Sequence, residues 1–83
     1  MQYNTIKDLE NGLKSTTDIN KLKQDLMFKS QGISYTCRFI GFGTAMGNKE
    51  AVWVADDSAT NVRVVYSGEG TSISVSSITV NKF

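Results

Sequence analysis

Between Ile33 and Val80 the chain alternates apolar and polar residues in short runs, and this pattern constrains the fold more than any other feature. A period of two places successive side chains on opposite faces of a β-strand. Turn-forming Gly, Asn and Ser residues separate the runs. The stretch also holds all the valines of the chain and its single tryptophan. We therefore predict that it forms the sheet and supplies most of the core.

The first strand of this stretch carries the clearest alternation. One face is apolar, and the opposite face carries Arg38 and Ile40; the apolar face consists of Ile33, Tyr35, Cys37 and Phe39. Glycines at positions 41 and 43 flank an aromatic residue, which predicts a bulge or bend. The Gly47-Asn48 pair then predicts a tight hairpin turn.

The later strands are predicted from shorter runs. In the run 51–55, Trp53 lies on the opposite face between two alanines if Val52 and Val54 face the core. The alternative is that the helices pack over that face and Trp53 is a core residue. A polar turn precedes the strand 62–66. After a Gly- and Ser-containing loop, two short final strands are expected around residues 73–75 and 78–80, separated by a turn at positions 76–77.

The first thirty residues follow a helical period instead. Thr5 and Asp8 form a capping-box-like pair. Two apolar sets follow at helical spacing: Ile6, Leu9 and Leu13, then Ile19, Leu22 and Leu26. An unbroken helix would turn these sets about 140° away from each other. We therefore predict two short helices with a break near residues 14–17, serving as a lid on the sheet or as an element that binds a partner.

These elements predict one α+β domain over residues 1–83, with a helical segment at 1–30 and a β segment at 31–83. Four or five strands form an antiparallel meander. Over residues 33–80, the bend in the first strand and the brief interruption before the last resemble the layout of SH3-like small barrels. The alternative is an open sheet with the helices packed on one face.

The composition leaves little chemistry for catalysis. The chain has no His and one Cys, so the usual proton shuttle and ordinary zinc or copper sites are missing. In a turn, Asp56 and Asp57 could share a cation with Glu50 or Glu69, but the two aspartates are predicted to end a strand instead. No enzyme activity, cofactor or metal is therefore expected. A single Cys allows no internal disulfide, and no apolar run is long enough to cross a bilayer, so a cytoplasmic protein is expected.

Binding is the remaining class of function. The face opposite Cys37 is predicted to collect Arg38, Trp53 and Arg63, which we take as the candidate partner-binding residues. Such a trio suits a protein partner, and this is the preferred interpretation: an accessory or inhibitor protein. The alternative is a small nucleic-acid-binding barrel, although a net charge of +1 gives little attraction for phosphates.

Two further expectations concern the source and the assembly of the chain. Absence of Pro and His with many Asn, Ser, Thr and Lys is typical of AT-rich coding sequences, such as those of bacteriophages. An exposed edge strand would also allow a homodimer.

Overall fold

The chain folds into an α+β domain in which one α-helix packs against a curled, five-stranded antiparallel sheet, a half-barrel. The computed structural model describes residues 1–82, with side chains described through residue 81, so Phe83 lies outside it. Its elements are α1 (Ile6–Lys14), a 3₁₀ turn (Ile19–Lys23), β1 (Leu26–Ser30), β2 (Ile33–Ala45), β3 (Asn48–Ala55), β4 (Thr60–Ser67) and β5 (Ser74–Lys82). The strands lie in chain order, as a meander requires. Within this described part, no helix has the length and apolar character needed to cross a bilayer.

The first helix begins where the capping pair predicted. The Thr5 hydroxyl accepts a hydrogen bond from the Asp8 backbone N–H at 3.0 Å, satisfying one of the free donors of the first turn. Leu9 and Leu13, one turn apart, are fully buried. The helix contacts β5 and β1, the two strands at the ends of the sheet, so it closes the open side of the half-barrel.

The second predicted helix is replaced by a shorter 3₁₀ turn followed by a strand. The Asp18 side chain caps this turn by accepting the Asn20 N–H at 2.9 Å, and Leu22 is its buried residue. The predicted helical segment 1–30 is therefore wrong over its last five residues. There Leu26 and Phe28 are buried while Met27 is exposed, which is the period of a strand.

The β2–β3 hairpin contains the bulge that the glycines predicted. Phe39 pairs with Trp53 and Gly41 pairs with Val52, so Ile40 is the extra residue. The hairpin turn is centred one residue earlier than expected. Met46 and Gly47 have φ values of 54° and 82°, and Met46 is fully exposed. A positive φ at both central positions suits the right-handed twist of the strands.

The two predicted final strands are one strand. Val75 pairs with Tyr66, and Ser77 pairs with Val65, so Ser76 is an extra residue that interrupts the alternation without ending the strand. The Ser76 hydroxyl donates to the Val65 carbonyl at 3.1 Å. The apparent turn at positions 76–77 is therefore a second β-bulge, which adds to the curl of the sheet.

Trp53 lies in the core, which is the alternative orientation, so its predicted place on the binding face is wrong. It is 0% exposed, and its indole Nε1–H donates to the Gln24 carbonyl at 2.8 Å. Val52 and Val54 instead lie on the outer face of the sheet and are half-buried. The core face of the sheet is built from alternating residues of successive strands: Leu26, Phe28, Tyr35, Cys37, Ala51, Trp53, Ala55, Val62, Val64 and Tyr66.

We predict that Trp53→Phe lowers the free energy of unfolding by about 1–3 kcal/mol, because the Gln24 carbonyl loses its donor and the smaller ring leaves space in the core. Urea unfolding followed by circular dichroism measures the change. Phe42→Leu is the control, since this ring is 40% exposed. An equal effect of both substitutions would contradict the central place of Trp53 in the core.

Candidate functional site

Arg38 and Arg63 lie on the same outer face of the sheet, as the alternation predicted. Arg38 is paired with Val54, and Arg63 is paired with Val52. Because the two valines are two residues apart on β3, all four side chains point away from the core. Trp53 lies between the valines in sequence and points inward, so the structure does not bring the predicted trio together on one surface.

Apolar side chains surround the two arginines on this face. We call the surface the outer patch, and its members are Arg38, Val52, Val54, Arg63 and Val65, together with the exposed Ile40 of the adjoining bulge. Ile40 is 55% exposed, and the three valines are half-buried although they face solvent. Alternation in β2 predicts position 40 on this face, and in the structure Ile40 is the unpaired residue of the bulge beside it. The alternation of β4 likewise predicts Val65 on the face of Arg63, but Val52 and Val54 could not be assigned, because the run 51–55 is apolar on both faces.

Arg63 is held in place by two neighbouring acceptors. One guanidinium nitrogen (Nη1) donates to Glu50 Oε1 at 2.7 Å, and Nε donates to Asn61 Oδ1 at 3.3 Å. Asn61 is buried, and the Glu50 side chain is only 10% exposed, while that of Arg63 is 41% exposed. Arg63 therefore neutralises a largely buried carboxylate and presents only part of its surface to solvent.

Arg38 differs from Arg63 in its surroundings. It is exposed, and among the described residues the structure shows no hydrogen bond or ion pair to its guanidinium group. Its charge is consequently available to a partner. Ile40, two residues along the same strand, supplies exposed apolar area beside it. A cation next to an apolar surface is a common composition for the centre of a protein interface.

The aromatic rings of the chain lie mainly on the other side of the sheet. Phe39 contacts Trp53 edge-on with ring centroids 5.5 Å apart, and Phe42 contacts both Phe39 and Tyr66. Edge-on contacts of this kind stabilise a core beyond the area that they bury. Only Phe42 of this group is appreciably exposed, so the group serves packing rather than stacking on a ligand.

Cys37 is a core residue, as its place in the alternation predicted. It is fully buried between its strand partners Leu26 and Ala55. Burial, and to a lesser degree the nearby carboxylates of Asp56 and Asp57, raise the pKa of the thiol to about 11. The thiolate that would act as a nucleophile is therefore scarce at neutral pH.

Two of the acidic residues considered for a cation site have structural roles. Asp57 accepts hydrogen bonds from the backbone of Ala59 and Thr60 and from the Thr60 hydroxyl, which fixes the β3–β4 turn. Glu50 binds Arg63 on the outer face. Across the described residues, no group of three or more His, Cys, Asp or Glu side chains is placed to hold a metal ion.

Comparisons with known proteins give no relative for this chain: no family model, no curated protein and no solved structure matches it.

We predict that Arg63→Ala lowers the free energy of unfolding by about 1–3 kcal/mol, because it leaves the Glu50 carboxylate largely buried without its charged partner. Arg38→Ala removes the same side chain from an exposed position on the same face, and we expect a change within about 0.5 kcal/mol. Urea unfolding of both variants tests the difference. Equal effects would show that the 2.7 Å ion pair does not stabilise the fold.

We also predict that Cys37 is unreactive toward a thiol reagent at pH 8 in the folded protein. Burial blocks access to the thiol. Its pKa is raised from the ordinary value of about 9 to about 11, so the thiol stays protonated at pH 8. The same reagent should label the urea-unfolded chain readily. Fast labelling under native conditions would mean that β2 separates from its neighbours easily.

Proposed function

We propose that this chain is a non-enzymatic binding module, an accessory or inhibitor protein that acts by occupying the surface of a partner protein through the outer patch. The observation that carries the proposal is the composition of this patch: Arg38 is exposed and unpaired among the described residues, beside the exposed Ile40 and the half-buried valines. These side chains have no role in the core, which lies on the opposite face of the sheet.

Several features support a protein partner over nucleic acid. A single-strand binder uses exposed aromatic rings for stacking and free cations for phosphates. Trp53 is buried, and the charge of Arg63 is already neutralised by Glu50. Arg38 is then the only cation of the predicted trio that can meet a phosphate, and the net charge of the chain is +1. A surface that combines apolar side chains with a cation instead suits a partner protein that has an apolar surface bordered by acidic residues.

Three finer interpretations belong to the same proposal. The meander with a bend in its long second strand is consistent with an SH3-like small barrel. The composition is of the kind that bacteriophage genes produce, which suits a small protein that inhibits or modifies a host component. Such a protein would act in the cytoplasm, where a chain with a single reduced cysteine is stable.

The binding proposal predicts that Arg38→Glu combined with Ile40→Ser lowers the retention of a protein partner at least about tenfold, since each residue supplies part of the contact. The matched control is Lys21→Glu combined with Ile33→Ser. It makes the same charge change, and Ile33 is 55% exposed, as Ile40 is, but lies on the other face of β2.

Tagged wild type and both variants are incubated with lysate of the native host, with and without nuclease, and the retained proteins are quantified. We expect the wild type and the control to retain one protein after nuclease treatment, and the patch variant to lose it. Equal retention by all three would exclude the outer patch as the binding site. Loss of every partner after nuclease treatment would favour nucleic acid instead.

A further inference from the structure

The two edges of the sheet differ in how they are covered. At the β1 edge the N-terminal residues add a short parallel bridge: Tyr3 N–H donates to the Met27 carbonyl at 2.8 Å, and Met27 N–H donates to the Met1 carbonyl at 2.9 Å. β5 is paired with β4 on one side. Among the described residues, no backbone hydrogen bond reaches its other side. The outer edge of β5 therefore carries backbone donors and acceptors that no described backbone group satisfies, although α1 also packs against this strand.

The usual protection of an edge strand is weak at β5. Residues 74–81 contain no charged side chain and no Pro, and the bulge at Ser76 affects only the first part of the strand. Beyond it, residues 77–81 continue in regular pairing. Charge, Pro and bulges are among the devices that keep edges from pairing with other chains. Residues 77–81 have none of these three, and the one charged residue of β5, Lys82, is the last residue of the strand.

The core-face residues of β5 are less buried than those of β4, which leaves room for a further strand beside β5. On β4, Val62 and Val64 are fully buried. Their partners on β5, Val80 and Ile78, lie one strand further out on the same face and are only half-buried, although α1 packs against this strand. Another strand beside β5 would cover the remaining apolar surface of these two side chains.

We propose that the β5 edge pairs with β5 of a second copy of this chain, in an antiparallel arrangement centred on Thr79. A two-fold axis places Thr79 opposite the partner's Thr79, Ile78 opposite the partner's Val80, and Ser77 opposite the partner's Asn81. Each half of the strand thus meets the other half, as an isologous interface requires. The two sheets become one continuous sheet of ten strands.

The side chains of β5 favour this occupant over an unrelated peptide. In the proposed register the core face brings together β-branched apolar residues, and the outer face brings together hydroxyl and amide groups, both of which are favourable cross-strand pairs. Within residues 77–81 no two like charges meet, because the segment carries none. A Pro-containing strand could not continue this pairing, and a charged one would match the uncharged segment 77–81 less well.

The register makes a sharp prediction for two single substitutions on the same face of β5. Thr79→Lys places two like charges directly opposite each other at the two-fold axis, and we expect the dimer dissociation constant to rise about fivefold or more. Ser77→Lys adds the same charge two residues away, where it faces the partner's Asn81, and we expect a much smaller change. Both positions are exposed in the single chain.

Thr79 lies beside Arg63 on β4, so the thermal stability of each variant is measured separately by circular dichroism. An equimolar mixture of Thr79→Lys and Thr79→Glu should recover the dimer, because opposite charges then meet at the axis. This recovery distinguishes a lost interface from a damaged fold. Sedimentation velocity over a wide range of concentrations provides the oligomeric state in every case.

A wild type that dimerises, weakened association of Thr79→Lys and recovery in the mixture would support the proposal. A wild type that remains monomeric up to its solubility limit would overturn it. So would a dimer that Thr79→Lys leaves intact, or one that both lysine variants weaken equally. The experiment needs no other partner, so its outcome is independent of the function proposed for the outer patch.

Discussion

Burial of Trp53 is the interaction on which the arrangement of the remaining elements depends. The ring fills the interior of the curled sheet, and two small neighbours on the same face of β3, Ala51 and Ala55, leave room for it. Its N–H group needs a partner in the core, and the Gln24 carbonyl provides it at 2.8 Å. One side chain thereby ties the centre of the sheet to the segment that joins the 3₁₀ turn to β1.

The position of this ring also determines which residues face solvent. Because side chains alternate along β3, an inward Trp53 requires Val52 and Val54 to point outward. Two valines on a solvent-facing surface contribute little to the core. Together with Ile40 and Arg38 they form an apolar surface with a cation, which supports the proposed binding role. The buried ring and the exposed patch are two consequences of the same strand register.

Features that depend on a few neighbouring residues were predicted correctly from the sequence. Thr5 as a helix cap and the bulge near Gly41 each depend on a few neighbouring residues, and both predictions are confirmed. The orientation of Trp53 could not be predicted, because the residues 51–55 are apolar on both faces and either register buries apolar area. β1 was missed because Leu22 and Leu26 also match a helical period. The ion pair of Arg63 depends on the register between β3 and β4, which no local pattern encodes.

The closure of the half-barrel by α1 has a consequence for the rate and order of folding. The helix packs against β5, so an element near the start of the chain reaches its final packing only when the last strand is in place. The same separation recurs in the backbone hydrogen bonds from Ile73 N–H to the Thr17 carbonyl, at 2.9 Å, and from Ile19 N–H to the Gly70 carbonyl, at 2.8 Å. Contacts so distant in sequence make the transition state costly in chain entropy. The helix and the last strand should therefore gain protection from hydrogen exchange together, late in folding, after the β2–β3 hairpin.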